Sequence, residues 1–587
     1  MEARRGPRAE SSGPGARLEP GTAAYFRRAR DTLQKGLSEE ELALFAPNVL
    51  AEAVAAGPAV ALDPGGTQVL QALLPRAPLA LLAQALPPLV AGGLGGLAGY
   101  PLGARVLEAA LARVLPALAE AAGPQEEAAG RTEEAVGRLA AAVSHDLVAF
   151  ARHPAGSFVL RALLRVLGGG PGAGTSELPL AGAGPKAKGV GPKAKGAGLK
   201  AKGVGQKAKG AGPPPTFRPL LEQLADAFQE HLLSLLAPPS ASLCLQGALQ
   251  ALHRSQSPAC SRLCDALIGQ LAPPSPNPAE SGLVRALQDP ERSRLLEAAM
   301  AVAGPGRLRE LFQQQLRGHL RGVATHRVAN HGLQRLLDHA PADVVGEVLC
   351  ELGPALAEPL AQGHPGVLTA LAGACRRHPA LQQEAQRFLF EAFCCWEPAE
   401  RRLACVRLLG TLRPFRGGDK DKEAEPEPWL GPVTLQGSLL LQHLLHFKDP
   451  GSIVGGLEVL PPSALAALAR SPPGSRLWDA LLTSPTVFPR ARRRVLGKLK
   501  GHFLSLACHR NGSRVIDAAW ASACAATRVA IAEELASHRE VLQRDPHGRG
   551  VSRSLALDLF LRRRHLWERL QAAPGHRRSV LTAVLED

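Results

Sequence analysis

The nine residues Gly437-Ser438-Leu439-Leu440-Leu441-Gln442-His443-Leu444-Leu445 hold the pattern on which the fold turns. Leu440–Leu441 and Leu444–Leu445 are apolar pairs four residues apart, so on a helix they make one wide apolar stripe. Ser438 and Gln442 are also four apart and project together from the polar side. A helix of this kind cannot bury its stripe alone and needs a partner surface.

The same pattern returns along the chain. It reads DPGGTQVLQALL from Asp63, GARVLEAAL at Gly103, GSFVLRALL at Gly156, ASLCLQGAL at Ala241, RSRLLEAAM at Arg292 and ANHGLQRLL at Ala329. It continues as GSRLWDALL at Gly474, GSRVIDAAW at Gly512 and GRGVSRSLA at Gly548. Where nothing is inserted the spacing is 37 residues from Arg292 to Ala329 and from Gly437 to Gly474, then 38 to Gly512 and 36 to Gly548. A weaker copy, HPGVLTALAGA, puts Gly366 on schedule 37 residues after Ala329, and a cryptic one lies around Arg401 to Leu409. Turns with a polar residue before Pro precede several copies, as at Asp63-Pro64, His153-Pro154, His364-Pro365, Ser471-Pro472 and Asp545-Pro546. Another helical segment, such as Arg492 to Ala507, stands before the turn. Helix pairs repeated at this interval predict an all-α solenoid of about eleven units.

Composition agrees. The chain has 587 residues, too many for one ordinary core, with 45% hydrophobic residues but only 4% aromatic ones, which suits Leu/Ala helix seams better than strands. Lys plus Arg number 68 against 52 Asp plus Glu, a formal charge of +16 that favours polyanionic partners. Eight of those lysines lie between Lys186 and Lys209, which leaves 16 − 8 = +8 for everything else. The ten cysteines show no CxxC pair and no matching His cluster, so neither a zinc site nor a disulfide framework is expected. No phosphate-loop, HExxH or GxSxG motif occurs, no cofactor is expected, and the chain reads as a non-enzyme. The polar N-terminus has no apolar signal core, and the apolar run Ala77 to Leu97 is broken by Pro and Gly, so a soluble protein without membrane contact is expected.

Four tandem heptads, GPKAKGV, GPKAKGA, GLKAKGV and GQKAKGA, interrupt the array from Gly184 and mark a flexible surface loop. The organisation expected is a disordered segment at 1–21, repeats at 22–167, the Gly/Lys-rich loop at 168–215, repeats at 216–415, a charged loop at 416–432, repeats at 433–560 and a basic helical cap at 561–587. Arg492-Arg493-Arg494 and Arg562-Arg563-Arg564 read as solvated faces, phosphate contacts or nuclear-localisation signals.

The arrangement small residue, Ser or Asn, Arg or aromatic, two apolar residues, Gln or Glu resembles the Pumilio repeat. The resemblance implies a C- or U-shaped solenoid in which the first and fifth positions of this motif read a base edge and the second stacks on the base. Carried over, Asn330 and Gln334 match the uracil pair with His331 stacking, and Ser293 and Glu297 match the guanine pair with Arg294 stacking. Ser242 with Gln246 and Ser438 with Gln442 match adenine readers, and Thr67, Gln68 and Gln71 form a further set. Ser475 with Arg476 and Ser513 with Arg514 complete the candidate sites, although Asp479 and Asp517 stand there in place of Glu. The chemistry stands apart from the family too: Glu accepts from guanine's donor edge, Gln and Asn both donate and accept, and Arg stacks where aromatics are few.

Arg161 and Arg553 occupy fifth positions, and Ala104 removes a first-position reader, so a complete one-repeat, one-base code is not expected. The array is longer than in the sequence-specific members and is broken after its third unit, features that resemble the family's ribosome-assembly branch. That branch implies single-stranded or structured RNA as partner, namely small-subunit pre-rRNA whose premature cleavage the protein restrains, together with pre-ribosomal particle proteins, a nucleolar location and no DNA. The competing architecture is a HEAT- or armadillo-like protein adaptor, which has no reason to repeat Ser or Asn with Gln or Glu four apart. Ser after Gly also caps helices, but a capping box places its acid three residues later, not four.

Overall fold

The computed structural model describes residues 18–120, 125–170, 212–273, 281–415 and 431–572. Expectations for residues 1–17, for the Lys/Gly heptads, for 416–430 and for the end of the C-terminal cap lie outside that range. The described residues form helices and no strand. They fall into two compact units, residues 1–304 and 305–587.

Each unit contains one row of stacked helices. In the first the row is α1 (Pro20–Lys35), α2 (Pro64–Leu73), α3 (Pro101–Glu120), α4 (Gly156–Leu167), α5 (Pro239–Arg254) and α6 (Pro290–Val302), each packed on the next. In the second it is α7 (Ala329–His339), α8 (Pro365–Arg377), α9 (Leu435–Leu445), α10 (Pro472–Thr483), α11 (Gly512–Ser522) and α12 (Pro546–Ser554), again in sequence. Eleven of these carry the ten clear copies and the weaker one at Gly366, α1 precedes them, and the cryptic copy around Arg401 to Leu409 does not enter the row, because α8 packs directly on α9. A second layer packs behind. In the first unit it runs Leu79–Val90, Glu126–His145, Phe217–Glu230, Ala259–Leu271.

The starts of the row helices explain the polar residues before the pattern. Asp63 accepts from the Gly66 amide at 2.8 Å, Asp289 from Arg292 at 2.9 Å, Thr434 from Gly437 at 3.0 Å, Ser471 from Gly474 at 3.1 Å and Asp545 from Gly548 at 2.8 Å. Three histidines do the same through Nδ1: His153 to Gly156, His326 to Ala329 and His509 to Gly512. Every cap therefore satisfies the amide three residues on, which belongs to the residue that opens the pattern, Gly or Ala in each of these copies except the one at Arg292. Where that residue is Gly, the packing gives a second reason. A Cβ on Gly103 or Gly512 would stand 2.5 Å from the carbonyl oxygen six residues earlier, Leu97 or Leu506, where the preceding segment turns under the helix.

The apolar pairs lie between layers. Leu440, Leu441, Leu444 and Leu445 are all at most 1% exposed, and each such burial contributes roughly 1.5–3 kcal/mol. All ten cysteines are free, and burial pushes the thiols of Cys244, Cys375 and Cys395 up to about 12, as expected of small core residues rather than reactive ones. Among the described residues no single helix is long and apolar enough to cross a membrane.

Candidate nucleic-acid interface

The three pattern positions occupy three different environments. Most first-position residues sit in the crevice between neighbouring row helices: Ser438 is 0% exposed, Ser293 1%, Asn330 2%, Thr67 2%, Ser242 5% and Ser513 9%, whereas Ser475 is half-buried. Second-position side chains point to solvent, with Gln68, Arg294, His331, Arg476 and Arg514 exposed and only Leu243 and Leu439 half-buried. Fifth-position side chains lie at the edge of the crevice; Gln71, Gln334 and Gln442 are half-buried, while Gln246 and Glu297 are buried. Second-position side chains therefore stand outermost.

In four central copies the first and fifth residues bond to each other. Gln246 Nε2 donates to Ser242 Oγ at 3.1 Å, Ser293 Oγ to Glu297 Oε1 at 2.9 Å, Gln334 Nε2 to Asn330 Oδ1 at 2.8 Å and Gln442 Nε2 to Ser438 Oγ at 2.9 Å. The i, i+4 spacing read from the sequence is what lets them meet. A side chain already held in one rotamer loses less freedom when it engages a ligand, so these pairs are preorganised. The first-position groups have structural duties as well. Ser438 Oγ donates to the Pro473 carbonyl of the following copy at 2.6 Å, and Asn330 Nδ2 donates to the His326 carbonyl at 2.8 Å.

The outer copies are arranged differently. Thr67 Oγ1 donates to the Ala61 carbonyl at 2.8 Å, away from Gln71. Ser475 and Ser513 donate back to the carbonyls of Pro472 and Arg510, because the shorter Asp479 and Asp517 replace a longer partner. Asp517 instead accepts from Ser554 of the next copy at 3.0 Å. Partial burial raises the Asp479 pKa, and Arg514 and Arg476 pull it back. The His331 pKa is lowered by loss of water around the ring and by nearby His364.

Two second-position residues escaped the sequence reading. Phe158 on α4 is 49% exposed in the same outer row, with the Arg161 guanidinium 4.5 Å from its ring centroid, and Arg105 on α3 is exposed beside it in the series. Both occupy the second position of copies set aside because of Arg161 and Ala104; reading each position separately finds them. Of the basic triplets, Arg492 donates to the Ser484 carbonyl, Arg494 pairs with Glu458 at 2.8 Å, and Arg564 pairs with Glu533 and Glu568. Much of that charge is committed within the protein.

The copy at Gly366 has a different register from the one its spacing suggests. Thr369, not Val367, stands at the first position: its hydroxyl donates to the Pro365 carbonyl at 3.1 Å and lies 3.5 Å from the Gln436 carbonyl of the next row helix, on the side where Ser438 reaches Pro473. A Cβ on Gly366 would meet the Gln334 side chain first, at 2.5 Å, where a Cβ on Gly103 or Gly512 meets the carbonyl six residues back. The register is thus shifted by two, which makes Ala370 the second-position residue and Gly373 the fifth.

A family profile described as "NOP9-like PUF repeat domain" matches residues 102–550. Nucleolar protein 9 of Homo sapiens is 39% identical over 596 aligned residues, covering 97% of this chain and 91% of that protein. Nucleolar protein 9 of Mus musculus is 38% identical with the same coverage. Among solved structures, APUM23 with GGAGUUGACGG superposes with a TM-score of 0.68 at 23% identity, covering 95% of this chain and 100% of that one. The last likeness concerns the fold.

Proposed function

The chain belongs to the NOP9-like PUF repeat family, and on that premise we propose that it is a nucleolar RNA-binding protein whose row helices carry small-subunit precursor rRNA. The observation that supports this most directly is the exposure of second-position side chains in each of the two units. Phe158, Arg294, His331, Arg476 and Arg514 each project beside a crevice lined by first- and fifth-position polar groups. Exposed planar groups on neighbouring row helices, Arg105 and Phe158 in the first unit and Arg476 and Arg514 in the second, suit the faces of successive unstacked bases, and the polar pairs suit their edges. Relatives carrying the name nucleolar protein 9, and the RNA in the APUM23 structure, favour the same partner and location. Restraint of premature pre-18S cleavage follows as the role of a scaffold that covers its RNA without acting on it.

The first-position residues are poor choices for a test because they hold the stack together. Alanine at Arg294, Arg476 and Arg514 together removes only exposed groups. Titration of a fluorescent single-stranded RNA should then show at least tenfold weaker binding and a shallower salt dependence, with an unchanged melting temperature. Unaltered affinity would remove this face from consideration. Crosslinking followed by sequencing of the bound RNA tests the precursor-rRNA assignment, which fails if those reads do not map to the small-subunit precursor.

A further inference from the structure

The seventh copy leaves a gap in the row. Where its neighbours carry His331 and Leu439 at the second position, it has Ala370, too short to stack; where they carry Gln334 and Gln442 at the fifth, it has Gly373. The missing volume opens as a hollow of about 460 Å³ between α7, α8 and α9, lined by Gln334, Thr369, Gly373, Arg376, Arg377 and His443 among others. The His443 ring, one residue past the fifth position of the next copy, moves into part of that space: its Cε1 and Nε2 lie 3.3 Å from where a Gly373 Cβ would stand. On the other side of the ring, Nδ1 is buried without a hydrogen-bond partner.

The groups around the hollow are complementary to one nucleotide. Gln334 Nε2 is engaged by Asn330, which leaves its carbonyl oxygen and second N–H for a base edge. Arg376 is exposed, and Arg377, anchored through the Leu337 carbonyl at 2.6 Å, keeps further N–H donors for a phosphate. Asp338, also on the lining, is held by Arg335 at 3.1 Å, so its negative charge is locally offset. Burial and the two arginines keep His443 uncharged at neutral pH, so that one ring nitrogen is a donor and the other an acceptor.

We infer that this hollow is a binding site for a single ribonucleotide of the bound strand, whose base turns inward between α7 and α9 against Gln334 and His443 while Arg376 and Arg377 hold its phosphate. The inference rests on the row helices being the RNA-binding face. It makes the seventh copy a receiving pocket where its neighbours stack a base outside.

Selection of the full chain against a pool of 20-nucleotide random single-stranded RNA tests it, with Gly373→Leu to fill the hollow and His443→Leu to remove the ring's polar edge. The unaltered protein should enrich a motif in which one position loses its preference in both variants, with binding of the enriched RNA weakened about tenfold. Two substitutions on different helices guard against one failing to fold, and melting curves identify that case. Identical motifs and affinities in the unaltered protein and in whichever variants fold would overturn the pocket while leaving RNA binding intact. Enrichment of no RNA by the unaltered protein would overturn the RNA-binding reading and the pocket with it.

Discussion

The Ser438 hydroxyl donates to the Pro473 carbonyl at 2.6 Å, so a residue that we propose meets a base edge also stitches one copy to the next. The same hydroxyl accepts from Gln442. Ser438→Ala leaves a carbonyl unpaired in the crevice and frees the Gln442 side chain, at a cost of about 1–2 kcal/mol. Denaturant unfolding should show that loss, whereas Ser475→Ala, whose hydroxyl is spent within its own helix turn, should cost less.

Phe158 offers the opposite case, since it is half exposed and contributes little to the core. Phe158→Ala should weaken single-stranded RNA binding by about 1–3 kcal/mol, the range for losing one base–aromatic stack, with no change in melting temperature. Anisotropy titration and a thermal melt on the same sample check both halves. A lowered melting temperature with unchanged affinity would make Phe158 a packing residue.

His443 should make stability pH-dependent. Burial, with Arg376, His446 and Arg377 nearby, pushes its pKa down to about 4 from an ordinary value near 6.5. As pH falls between those values the unfolded chain takes up a proton that the folded chain refuses. Stability is therefore full above pH 6.5 and declines toward pH 4, by about 2 kcal/mol for this partly exposed ring. His331, shifted the same way, adds to the slope. Urea unfolding of the parent and of His443→Leu at pH 7, 5.5 and 4.5 should diverge in steepness; parallel curves would refute the assignment.

The histidine caps predict a simple exchange. His326 Nδ1 accepts from the Val328 and Ala329 amides at the station where Asp63, Asp289 and Asp545 cap other copies. His326→Asp should match the parent's stability or exceed it, because a carboxylate also favours the helix N-terminus, and His326→Ala should lose about 1 kcal/mol. Thermal unfolding of the pair measures the difference.

The architecture was legible because each copy repeats one apolar stripe, and stripes at a constant interval leave stacking as the way to bury them. Sequence spacing misled at Gly366, where a glycine on schedule packs against Gln334 and the working register begins two residues later. Only the contact from Thr369 to the next helix reveals that shift, because Thr is as ordinary in a helix sequence as the residues around it. The polar pairs were identified as i, i+4 partners, but their burial was not, since a linear pattern does not say how closely adjacent helices approach. Phe158 and Arg105 were passed over for a related reason: each copy was judged by its weakest position, while the three positions have separate environments.

The place where the Lys/Gly tract leaves the described chain has a consequence of its own. A Cβ on Gly169 would stand 3.0 Å from Pro213 Cδ, so the residues flanking the tract meet side by side while α4 and α5 remain packed. An excursion that starts and finishes at one point imposes no distance on the helices it connects, and loop-closure entropy grows only slowly with length. The junction of Gly169 and Pro213 is therefore a natural port for grafting a reporter or affinity domain into the middle of the repeat array.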